Sequence, residues 1–76
     1  MNEYGNDTKL TVELTRHEIC DMLRATTHIF IDFETEARDE ALPADRRRIA
    51  ESTAKYWRAL HDKIDAQLDA WDAKHI

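Results

Sequence analysis

Apolar residues recur at three- and four-residue steps along two stretches of the chain. The first stripe runs Ile19, Met22, Leu23, Thr26, Ile29, Phe30, Phe33 and Ala37. The second runs Ile49, Thr53, Tyr56, Trp57, Leu60, Ile64, Leu68 and Trp71. Such spacing is that of a helix with one buried face. Between the stripes lies Ala41-Leu42-Pro43, with the chain's only proline placed for the first turn of a helix. The pattern predicts an all-α fold, a long antiparallel helical hairpin with one helix over about 16–40 and the other over about 44–74.

Local signals sharpen these bounds. Thr15-Arg16-His17-Glu18 is a capping box, in which Thr15 accepts from the Glu18 backbone N–H and the Glu18 carboxylate returns to the Thr15 N–H. Leu14 just before it can staple against Ile19. The first helix therefore starts at Arg16. Its middle carries Thr26, Thr27, Ile29 and Ile31, all β-branched and mildly unfavourable in a helix. A break near Thr27-His28 is the alternative to one continuous helix. The stripe stays in phase to Phe33 and Ala37, which favours continuity. Ile31 and Cys20 fall off the stripe, about a third of a turn away. Ala59, Ala66, Ala70 and Ala73 mark another face of the second helix, readable as a close-approach surface or, more simply, as good helix formers.

Ahead of the helices, residues 1–8 are polar and expected to fray. Residues 9–15 alternate, with Leu10, Val12 and Leu14 on one side and Lys9, Thr11 and Glu13 on the other. That alternation fits a short half-buried strand, whose mate would be the same strand of a second subunit. It fits equally an extended arm packed on the helices.

A chain of 76 residues makes one domain. Two helices cover only part of each other, and a core of that size supplies only about 3–5 kcal/mol. A homodimer closing a four-helix bundle is the direct remedy. The core expected within the chain or across the dimer comprises Leu10, Val12, Leu14, Ile19, Leu23, Phe30, Phe33, Trp57, Leu60, Ile64, Leu68 and Trp71.

The net charge is −5, and it is unevenly spread. Residues 1–42 hold four basic and ten acidic groups; residues 43–76 hold seven and six. Glu34, Glu36, Asp39 and Glu40 crowd the end of the first helix, and Arg46, Arg47 and Arg48 the start of the second. Each cluster opposes its own helix dipole, and the two are expected to pair across the turn. An acidic chain suits a basic protein partner better than nucleic acid. The candidate partner-binding residues are Asp32, Glu34, Glu36, Asp39 and Glu40.

Little else points to chemistry. With Gly5 the only glycine, no phosphate-cradling loop can form, and Ser52, the only serine, sits mid-helix. His17 and Cys20 lie one turn apart, but a structural zinc site wants four ligands and no second such pair exists. His28 with Asp32 and His61 with Asp65 have the spacing of helix-surface pairs. No enzyme, metal or cofactor is expected. The one cysteine forms no intramolecular disulfide, and the longest apolar run, Ile29-Phe30-Ile31, is far too short for a membrane span. A cytoplasmic setting is the corresponding expectation.

Leu10–Leu14 leading into Thr15–Ile19 and two helices resembles the outline of ribbon-helix-helix repressors, dimeric DNA-binding regulators whose ribbon enters the major groove. Glu13 on the outward side of such a ribbon would oppose phosphate, the first helix is nearly twice too long, and the usual glycine before the second helix is missing. Leu14-Thr15-Arg16-His17-Glu18-Ile19-Cys20-Asp21-Met22-Leu23 and Lys55-Tyr56-Trp57-Arg58-Ala59-Leu60-His61-Asp62-Lys63-Ile64 resemble two blocks of small helical proteins of phages and mobile elements of Gram-positive bacteria. That resemblance implies a non-enzymatic protein that binds another protein. Its expected role is that of an inhibitor or regulator of a nucleic-acid-binding host factor, as anti-CRISPR proteins are, with the carboxylates of the first helix standing where phosphates would. A structural accessory module that only oligomerises is the remaining alternative.

Overall fold

The computed structural model describes Gly5 and residues 7–76. The frayed start expected for residues 1–8 lies outside the described residues at positions 1–4 and 6. The chain forms two helices, α1 (Arg16–Ala37) and α2 (Ala44–His75), packed against each other as a hairpin. Among the described residues there is no strand, and residues 9–15 form an exposed segment without regular secondary structure.

Helix α1 starts where the capping box places it. The Glu18 N–H donates to Thr15 Oγ1 at 3.1 Å and the Thr15 N–H to Glu18 Oε1 at 2.9 Å. The helix runs unbroken through its β-branched middle. Thr26 and Thr27 both direct their hydroxyls to the Leu23 carbonyl, at 3.1 and 2.8 Å, so their polar groups are satisfied within the helix. It ends at Ala37, three residues before the expected stop. The Arg38 and Asp39 N–H groups bond back three residues, to Thr35 and Glu36. Asp39 Oδ1 then accepts from the Ala41 N–H at 3.0 Å, an Asx turn that leads the chain away. Pro43 sits at the N-cap of α2, one position before the first turn, and α2 reaches His75 with Lys74 and His75 complementing its C-terminal dipole.

Three side-chain pairs fix the register: Arg16 with Asp72, Thr26 with His61, and Glu34 with Arg58. The seam they frame has heptad spacing. The seam is formed by Ile19, Leu23, Thr26, Phe30, Phe33 and Ala37 of α1 and by Ala50, Ala54, Trp57, His61, Ile64 and Leu68 of α2, each buried or half-buried. Steps of four and three alternate along both, the pattern of a coiled-coil seam. Among the described residues no large side chain is fully buried.

The α2 seam differs from the stripe that its large apolar residues suggest. Ile49 and Tyr56 are 68 % and 65 % exposed, while Ala50 and Ala54 are buried. Near the turn, α2 is rotated by one residue, about 100°, so that small side chains rather than large ones face α1. The register sets Ala50 and Ala54 opposite Phe33 and Ala37, where alanine admits the bulk of a phenylalanine. The other alanines, at 59, 66, 70 and 73, are exposed, as good helix formers on solvent faces can be. Of the expected core, Leu10, Val12 and Trp71 are exposed within one chain, and Leu14 is 38 % exposed.

Enlarging a seam alanine should therefore hurt more than enlarging an outer one. Ala54→Leu is expected to lower the unfolding free energy by about 1–3 kcal/mol through overpacking. Ala66→Leu should stay within about 0.5 kcal/mol of the parent. Urea denaturation followed by circular dichroism checks both, and equal effects would contradict the rotated seam.

Candidate interaction surfaces

The heptad spacing gives the hairpin two flanks of opposite character. On one flank α2 presents Glu51, Lys55, Arg58, Asp62, Asp65, Asp69 and Asp72. Arg58 donates to both Glu34 carboxylate oxygens, at 3.2 and 3.3 Å, and lies 4.5 Å over the Phe30 ring. Arg16 grips Asp72 through two donors, at 3.0 and 2.8 Å. A polar groove of about 440 Å³ runs along this flank near the turn, with Arg38, Glu51, Lys55 and Arg58 on its walls and Ala54 among its lining.

The opposite flank is apolar. From α1 it carries Met22, Ala25 and Ile29; from α2, Ile49, Thr53, Tyr56 and Leu60. Met22, Ile49 and Tyr56 are exposed, and Ile29, Thr53 and Leu60 half-buried. Tyr56 packs edge-on against Trp57 at 5.8 Å. The Arg46–Glu36 ion pair, at 2.9 Å, closes this flank at the turn end. At the other end it runs into a mainly apolar groove of about 490 Å³ lined by Leu14, Ile19, Ile64, Leu68 and Trp71, with Thr15, Arg16 and Gln67 as its polar lining.

The five carboxylates singled out by charge do not form one surface. Glu34 and Glu36 are half-buried and spent on Arg58 and Arg46, on opposite flanks. Asp39 caps the connection through Ala41. Asp32 and Glu40 are exposed, with no ion-pair partner among the described residues. Of the three arginines at the start of α2, Arg46 crosses to α1, Arg48 pairs with Asp45 of its own turn, and the Nε of Arg47 is buried without a partner among the described residues.

His61 turns into the seam rather than toward Asp65. Its Nδ1 lies 2.8 Å from Thr26 Oγ1, and its ring meets Phe30 edge-on at 5.4 Å. His17 pairs with Asp21 at 3.4 Å, and Cys20 receives only a long contact from Arg16. Among the described residues, no three His, Cys, Asp or Glu side chains converge as metal ligands. No helix in the described residues is long and apolar enough to cross a membrane.

Two carboxyls are held below their ordinary range. Glu18 is lowered by the Thr15 backbone N–H and then by the Thr15 hydroxyl. Asp72 is lowered by its hydrogen bonds from Arg16, and Arg16 is raised by the same pair. A carboxyl lowered on folding stabilises the folded state above its unfolded value, 4.5 for Glu18 and 3.8 for Asp72. The contribution is lost as pH falls through the lower, folded values. Urea midpoints are therefore expected to drop on acidification below about pH 4.5, and less steeply in Asp72→Asn. An unchanged slope in that variant would contradict the assignment.

Compared with protein-family models, with curated proteins and with solved structures, the chain matches none.

Proposed function

We propose that this chain is a non-enzymatic protein-interaction module that works through the apolar flank of its hairpin, and that the occupant of that flank is a second copy of the chain. The observation that carries this reading is the flank itself: Met22, Ile29, Ile49, Tyr56 and Leu60 on one side of a hairpin whose other side is charged.

Charge favours one of two symmetric arrangements. A two-fold axis along the hairpin stacks α1 of each copy on α2 of the other, with both turns at one end. An axis across the hairpin stacks α1 on α1, with the turns at opposite ends. Helix α1 carries five acidic and two basic residues, and α2 six acidic and seven basic. The second arrangement opposes like charges, and the first avoids it. Two hairpins arranged in that first way form an antiparallel four-helix bundle.

A second reading is favoured by the exposed Asp32 and Glu40. In it the acidic end of α1 meets a basic, nucleic-acid-binding protein, as an inhibitor or regulator would. The two readings separate by mutation. Ile49→Glu with Tyr56→Glu places two charges in the apolar flank, and sedimentation is expected to show dimer association weakened by roughly 100-fold or more, with helix content retained. Charge reversal at Asp32, Asp39 and Glu40 should leave self-association unchanged. The opposite pattern would move the working surface to the acidic end.

A further inference from the structure

We infer that the apolar groove at the open end of the hairpin is filled by the N-terminal arm of the second copy, with Leu10 and Val12 as the inserted side chains. This rests on the dimer proposed above and adds an exchanged segment to it. Leu10 and Val12 are 77 % and 69 % exposed, the most exposed large aliphatic residues ahead of α1. In an extended arm they would share a side with Leu14, which already forms part of the groove wall. The groove, about 490 Å³, is of ligand-site size and lined mainly by Ile19, Ile64, Leu68 and Trp71. Trp71, one of the lining residues, stacks on His75 at 4.1 Å and is 46 % exposed.

The arm of the same chain is a poor occupant. Leu14 and Thr15 belong to the wall, and Thr15 leaves the helix in an extended conformation, φ −71° and ψ 160°. To insert Leu10, the chain would have to reverse between Leu10 and Leu14. That stretch is Thr11-Val12-Glu13, without Gly, Pro, Asn or Asp and with two β-branched residues, which resist a tight turn. An arm that stays extended instead spans about 20 Å over six residues. Neighbouring helices in a bundle lie about 8–10 Å apart. In the arrangement with both turns at one end, both grooves share the other end, so each arm reaches the partner's groove. With turns at opposite ends the grooves stand about a helix length apart, beyond that reach.

The area adds up in the same direction. The groove is continuous with the apolar flank through Gln67 and Ile64, so an inserted arm extends the same interface. Covering Leu10, Val12, Leu14 and Trp71 together with Met22, Ile49 and Tyr56 removes seven large side chains from water in each copy, enough for a standard interface.

Disulfide trapping in the full chain tests this. In a Cys20→Ser background, Val12→Cys and Gln67→Cys are made as separate proteins, mixed, refolded together and mildly oxidised. The expected product is a 12–67 cross-link between the two chains, at twice the chain mass. In the double variant Val12→Cys with Gln67→Cys, the expected product is again a covalent dimer. A cross-link that leaves the double variant at single-chain mass would overturn the exchange in favour of the chain's own arm. A Val12→Cys protein that cross-links efficiently to itself would overturn it in favour of arms paired with each other. Light scattering on Leu10→Ser with Val12→Ser gives a second readout, with dimer association expected to weaken by roughly 100-fold. An unchanged dimer in that variant sinks the arm's role and leaves the flank reading standing. A parent chain that stays monomeric sinks both.

Discussion

Ala50 and Ala54 decide how close two helices with phenylalanines between them can come. With methyl groups on that level of α2, Phe33 and Ala37 of α1 can face it directly. Phe30 then reaches the level of His61 and lies under Arg58. The seam that results has strict heptad spacing, and that spacing assigns every other residue to a flank. Rotating α2 by a single residue would bury Ile49 and Tyr56 and expose Ala50 and Ala54. It would also carry Arg58 away from Glu34 and His61 away from Thr26. The polar contacts and the small residues thus specify the same rotation.

This packing leaves a hairpin with a thin core and two unlike sides. Charged pairs cover one flank, where exposed ion pairs add little stability but keep the surface wet. The other flank and the groove at the open end keep large side chains in water. A short chain cannot bury more with two helices, because each has only one face to offer the other. The leftover apolar area is the physical reason for reading the protein as one half of something.

Much of the architecture is legible in the residues. Thr15 and Glu18 announce the start of α1, and the stripe through Phe33 and Ala37 carries it past the β-branched Thr26 and Thr27, whose hydroxyls settle on Leu23. The stop of α1 is less so, because the Asx turn at Asp39 competes with a helix that propensity alone would extend. The face of α2 near the turn escapes a reading by large apolar residues for a plain reason: contact at a tight crossing selects small side chains. A strict alternation of four and three through Ala50, Ala54, Trp57, His61, Ile64 and Leu68 is the signal that marks it. The acidic end is legible as composition but not as geometry. Glu34 and Glu36 differ by two positions, which sends them to opposite flanks and to different arginines.

One hairpin leaves Met22, Ile49, Tyr56 and Trp71 exposed, and on the proposal above a second copy covers them. The molar mass of the unmodified chain, measured by light scattering over a concentration series, tests this most directly. The account predicts twice the 8.9 kDa chain mass, falling toward the single-chain value only on dilution. A well-folded protein at single-chain mass across the whole series would contradict it.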